Sequence, residues 1–111
     1  MNTSLYLLII GNKECRYCHK LKESIDRDYK IPVHYLDLYS RSDEGYGYNN
    51  WKNIFNLQPN ENKIPLLYKF NDISYPVNNN LDTLPVETIL KNAEFIGNYF
   101  DALDWLEDEF D

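Results

Sequence analysis

Leu5-Tyr6-Leu7-Leu8-Ile9-Ile10-Gly11-Asn12-Lys13-Glu14-Cys15-Arg16-Tyr17-Cys18-His19-Lys20-Leu21 decides how the chain is read. Leu5 to Ile10 is an uninterrupted apolar run of strand length, as expected of a central parallel strand covered on both faces. Gly11 and Asn12 break it. From Cys15 the period changes, because Cys18, Leu21, Ile25 and Tyr29 recur at three and four residues while Lys20, Lys22, Glu23, Asp26 and Arg27 take the other faces. This pattern predicts an amphipathic helix of about four turns that begins at the cysteine pair and ends before Pro32, which holds Ile31 extended.

Working outward, Val33 to Leu38 reads as a second strand, so the first forty residues run strand, helix, strand, the order of parallel pairing. Tyr39 to Tyr48 is a polar, Gly-containing loop, Asn49 or Asn50 can cap a short helix with Trp51, Ile54 and Phe55 as its core stripe, and Gln58 to Lys63 is a connection. Leu66 to Phe70 reads as a strand, with Asn71-Asp72 as a two-residue turn into Ile73 to Val77, an antiparallel hairpin with Pro76 on an edge. After a loop at Asn78, Asn79 and Asn80 come a short helix over Leu84 to Lys91 with Pro85 in its first turn, a brief extended Phe95-Ile96-Gly97, and a closing helix from Tyr99 to Phe110. The expected whole is one α/β domain over 1–111, a four-stranded mixed sheet with helices on both faces.

Composition narrows the partners. The 18 acidic and 11 basic residues leave a net charge of −7, which disfavours nucleic acid or an anionic membrane and suits a partner with a basic docking face. The apolar run at Leu5 to Ile10 is too short to span a membrane and lacks the flanks of an export signal, so a cytoplasmic location is expected. In that compartment, cysteines three apart point to catalysis or metal binding before a structural bridge.

Residues i and i+3 of a helix have Cα atoms about 5 Å apart, within reach of a disulfide. A cysteine at the first helical turn also meets unpaired backbone N–H groups and the positive end of the helix dipole, with Lys13 and Arg16 adding charge. Thiols in such sites ionise at roughly 3.5 to 7, against about 8.5 for a free thiol. Cys15 is therefore the expected nucleophile, and Cys18, on the apolar stripe, the resolving thiol. Other readings stay open. A zinc site would have to recruit His19 and His34, and Cys15-Arg16-Tyr17-Cys18-His19 also fits a haem attachment string, although Met1 is the sole methionine. Two unreactive cysteines are the plainest alternative.

At this point the chain resembles the glutaredoxins of the thioredoxin-fold superfamily, small dithiol proteins carried by bacteriophages as well as by cells. Cys15-Arg16-Tyr17-Cys18 resembles their Cys-Pro-Tyr-Cys, Ile64-Pro65 their Val-Pro with its cis proline, and Ile96-Gly97-Asn98-Tyr99-Phe100-Asp101 their Ile-Gly-Gly-Tyr-x-Asp. The resemblance implies a thioredoxin-like fold and a glutathione-dependent thiol-disulfide oxidoreductase, with glutathione as reductant and no metal. It implies that Lys13, Tyr17, Ile64, Pro65, Gly97, Asn98, Phe100 and Asp101 bind glutathione, and that the partners are disulfide-containing proteins, ribonucleotide reductase among those the family serves. The chain departs from the pattern at Arg16, at Asn12 where the family has lysine, at Asn98 and Phe100, and in a longer span from about 71 to 94. A thioredoxin-like reductant served by a thioredoxin reductase and a non-catalytic binding module of the same fold are the alternatives.

Overall fold

Leu7–Gly11 forms β1, and all five of its residues are buried. A computed structural model describes residues 5–37 and 64–110 of the chain. β1 pairs in parallel with β2 (Val33–Asp37) and antiparallel with β3 (Leu66–Phe70), which in turn pairs antiparallel with β4 (Ala93–Gly97). The sheet order is therefore β2-β1-β3-β4, with β1 and β3 inside.

Alternation along β1 and β3 divides the core into two layers. Leu7, Ile9 and Leu67 face one side, where they meet Leu21 and Ile25 of the first helix and Ala102 and Leu106 of the last. Leu8, Ile10, Leu66, Tyr68 and Phe70 face the other, against Leu81, Val86 and Ile89. Each fully buried aliphatic side chain stabilises such a layer by about 1.5–3 kcal/mol. Helices on both faces explain why β1 is apolar throughout.

Helix α1 (Arg16–Ser24) continues through a single π-helical turn, Ile25–Tyr29, closed by a 2.7 Å bond from the Lys30 N–H to the Ile25 carbonyl. The helix thus stops at Lys30, in the left-handed region (φ 56°, ψ 40°), and not at Pro32. A side chain there costs about 1–2 kcal/mol, and glycine loses about 0.5–1 kcal/mol more than alanine on folding. Lys30→Gly should therefore stabilise the fold by roughly 0.5–1 kcal/mol, seen as a rise of a few degrees in the thermal midpoint; a fall would show that Lys30 has partners that outweigh its backbone.

The expected hairpin over Ile73 to Val77 is overturned. Ser74–Asn78 is a short helix, α2, because the Asp72 carboxylate accepts 2.9 Å bonds from both the Ser74 N–H and its hydroxyl and so starts a helical turn. Those bonds hold the Asp72 carboxyl below its ordinary range. Pro76 is buried in this turn, and its missing N–H falls where a helix start needs none. The fourth strand comes instead from Ala93–Gly97, which pairs Tyr68 with Phe95 and Phe70 with Ala93 across a bulge at Leu67/Tyr68.

Between α2 and β4 lies α3 (Val86–Lys91), with Pro85 at its cap position and not inside its first turn. Tyr99–Phe110 forms α4, with the bounds expected from its apolar stripe. The expectations for Leu38, the Tyr39 to Tyr48 loop, the helix of Trp51, Ile54 and Phe55, and the Gln58 to Lys63 connection lie outside the described residues. Among the described residues no helix is long and apolar enough to cross a membrane.

Candidate redox site

β1 ends in Gly11, and four residues later the chain reaches Cys15, the N-cap of α1. Cys15 is extended (φ −81°, ψ 110°), and its sulfur accepts the Cys18 N–H at 3.2 Å, as a capping oxygen does at other helix starts. Cys15 and Cys18 are joined by a disulfide, with Cα atoms 5.2 Å apart. Cys18 is fully buried and Cys15 partly exposed, so an incoming reagent meets Cys15 first.

Gly11 makes room for this arrangement. A Cβ at Gly11 would lie 2.6 Å from Cys18 Sγ, 2.9 Å from Cys18 Cβ and 3.0 Å from the Tyr35 hydroxyl.

The loop between strand and helix is fixed by its own polar groups and by two side chains from elsewhere. Asn12 Oδ1 accepts the Glu14 N–H at 2.7 Å, and the Asn12 carbonyl accepts the Cys15 N–H at 3.1 Å. The Tyr35 hydroxyl donates to that same carbonyl at 2.7 Å. His19 Nε2 donates to the Lys13 carbonyl at 2.6 Å, and its ring lies parallel to that of Tyr35 with centroids 5.4 Å apart. Burial, and secondarily the nearby Asp37 carboxylate, push the Tyr35 hydroxyl pKa up to about 12, so it remains a donor at physiological pH.

A groove of about 270 Å³ lies beside the motif, lined by Tyr17, Ile64, Asn98, Tyr99 and Phe100. Tyr17 and Tyr99 pack with centroids 4.9 Å apart, Phe100 meets Tyr99 edge-on at 5.2 Å, and Lys20 Nζ sits 5.5 Å from the centre of the Tyr17 ring. Half of Tyr17 and 71% of Phe100 are exposed, which leaves open to solvent an aromatic wall that includes a residue of the Cys-x-x-Cys segment itself.

Four residues singled out from sequence, Tyr17, Ile64, Asn98 and Phe100, come together in this groove. Four others stand outside its lining. Lys13 is exposed on the loop, and Pro65 is buried behind Ile64, with which it forms a cis peptide. Gly97 is buried at the end of β4, where a Cβ would meet Asp101 Cγ and Oδ2 at 3.1 Å, and Asp101 itself is exposed in the first turn of α4. Tyr99 and Tyr35 are not among the site residues expected from the sequence, and His19 enters there only as a candidate zinc ligand. Tyr99 is signalled by its place between Asn98 and Phe100, whereas Tyr35 becomes visible only once strand register brings β2 beside β1. The zinc reading finds no support, since His19 and His34 bond or face Lys13 and Asp82. Among the described residues no three His, Cys, Asp or Glu side chains gather as a metal ion requires.

Fold and site together define an α/β protein with a mixed four-stranded sheet and a Cys-x-x-Cys disulfide at a helix N-terminus. No family model, curated protein or solved structure matches the chain.

Proposed function

We propose that the protein is a glutathione-dependent thiol-disulfide oxidoreductase of glutaredoxin type, built on a thioredoxin-like fold. The observation that carries this reading is the disulfide of Cys15 and Cys18 at the start of α1, with the Tyr17, Ile64, Asn98, Tyr99 and Phe100 groove beside it. The sheet order and the positions of α1 and α4 are compatible with that fold.

In the reduced protein the Cys15 thiolate attacks one sulfur of a substrate disulfide. A Cys15–substrate disulfide forms and the other substrate sulfur leaves as a thiolate that takes up a proton. Cys18 then loses its proton and displaces the second substrate thiol, closing Cys15–Cys18. The substrate has gained two electrons and two protons; the protein has lost the electrons and the Cys18 proton, and the other proton comes from solvent, into which Cys15 released its own on ionising. Two glutathione molecules return the electrons and leave as glutathione disulfide. The Cys18 N–H and the α1 dipole favour the Cys15 thiolate, and so favour it both as attacking and as leaving group.

Glutathione is a tripeptide with two carboxylates, and the groove supplies an apolar aromatic wall at Tyr17 and Phe100 and the N-terminal turn of the twelve-residue α4 at Asn98 and Tyr99. Such a helix start favours a carboxylate. The assay is reduction of a small glutathione mixed disulfide, with glutathione and glutathione reductase as electron supply. Turnover is expected, and Phe100→Ala or Tyr17→Ala should lower kcat/KM about 3- to 10-fold, mainly through KM, by removing groove wall without touching sulfur. Absence of turnover, with the pair reducible by a thioredoxin reductase, would make the protein a thioredoxin-like reductant. Inertness to both would leave a binding module.

A further inference from the structure

We propose that Tyr35 and His19 are positioning residues for Cys15, and that they set the reduction potential of the cysteine pair through the loop that precedes it. The inference rests on the redox reading above but on different atoms from those of the groove.

The carbonyls of Asn12 and Lys13 belong to a partly exposed loop, where water ordinarily satisfies such groups. Here each is held by a side chain. A carbonyl only accepts, so the 2.6 Å contact fixes the proton on His19 Nε2. His19 grips the loop through its ring on the Lys13 carbonyl, while its backbone N–H makes the first helical bond of α1 to the Cys15 carbonyl at 3.2 Å. Tyr35 shares the Asn12 carbonyl with the Cys15 N–H, so the hydroxyl and the cysteine backbone bond to the same oxygen. The parallel ring contact between His19 and Tyr35 ties the two clamps together.

The two side chains hold the Asn12–Lys13 and Lys13–Glu14 peptide groups, and the Cys15 N–H bonds to the first of these carbonyls. The clamps thus reach Cys15 through the loop that sets the extended geometry aiming its sulfur at the Cys18 N–H. A hydrogen bond to a charged acceptor is roughly twice as strong as one to a neutral acceptor. In the reduced protein the gain from that N–H therefore falls on the thiolate. A loop that wanders makes the bond only part of the time, the reduced form loses stability, and the pair becomes more reducing.

The test is redox equilibration of wild type, Tyr35→Phe, His19→Ala and His19→Gln with mixtures of reduced and oxidised dithiothreitol at neutral pH. The dithiol loses two electrons and two protons as it closes to its ring disulfide, and Cys15–Cys18 gains them as two thiols. Tyr35→Phe and His19→Ala should each move the equilibrium about 3- to 10-fold toward the protein disulfide, or about 15–30 mV to more negative potential. His19→Gln, whose side-chain amide can donate to the same carbonyl, should fall between His19→Ala and wild type. Equilibria within about twofold of wild type for both Tyr35→Phe and His19→Ala would overturn the proposal, even if both variants melt earlier, because a purely structural role moves the melt alone. Dithiothreitol needs no glutathione groove, so a protein that fails to turn over glutathione substrates still gives this result. A pair that dithiothreitol cannot reduce would overturn both readings together.

Discussion

Gly11→Ala is expected to lower stability by about 2–3 kcal/mol, a fall of roughly 10–20 °C in the thermal midpoint of the oxidised protein followed by circular dichroism. The argument turns on what the new methyl group meets. Contacts of 2.6 Å to Cys18 Sγ and 2.9 Å to Cys18 Cβ are far inside van der Waals distance, so something has to move. Cys18 cannot give way easily, being fully buried and covalently tied to Cys15. Tyr35 is anchored on the Asn12 carbonyl. The backbone itself moves least readily, because Gly11 pairs with Asp37 at the end of a strand hydrogen-bonded to both neighbours. The sign of the effect is diagnostic. Glycine weakens a strand by its flexibility, so were the space open, alanine would stabilise by about 0.5–1 kcal/mol. An unchanged or higher midpoint would mean that the helix start stands farther from β1 than described.

Cys15→Ser should abolish reduction of the glutathione mixed disulfide, with a loss of at least about a thousandfold in kcat, whereas Cys18→Ser should keep substantial turnover. A serine hydroxyl is neither ionised at neutral pH nor able to form a bond to sulfur that a second thiol reverses. Cys15 is the partly exposed sulfur at the helix start, and attack, mixed-disulfide formation and release by glutathione can all proceed on it alone. Cys18 is fully buried, so it reaches only a disulfide already on Cys15. Its loss should instead stop the closing step that protein disulfides require. Steady-state assays with the mixed disulfide and with a disulfide protein substrate separate the two. Activity lost equally in both variants would reverse the roles or require the pair to act as a unit.

Much of this arrangement is legible in the order of residues. The apolar run of β1, the period change at Cys15 and the stripe of α4 are local patterns, and each element forms close to where its pattern places it. The hairpin failed because two local signals compete over Asn71 to Val77. Alternating character there suits a strand, but Asp72 caps the turn at Ser74 and Pro76 sits more easily at a helix start. Once that segment is helical, β3 takes its second partner from Ala93–Gly97, more than twenty residues further on. The Tyr35 bond to Asn12 spans 23 residues and depends on strand register, so neither tyrosine composition nor spacing announces it. The bond of His19 to the loop is equally silent, because its partner is a carbonyl and carbonyls leave no mark in a sequence.

β1 carries the redox pair at its tip, and it is fully buried and bonded along both edges. Amide hydrogens in such a strand exchange with solvent chiefly when the whole domain opens, since no local fraying uncovers them. The anchorage of Cys15 and Cys18 thus has the lifetime of the fold itself. The turn from Gly11 to Cys15 is rooted in a strand whose opening is the rarest event the molecule undergoes.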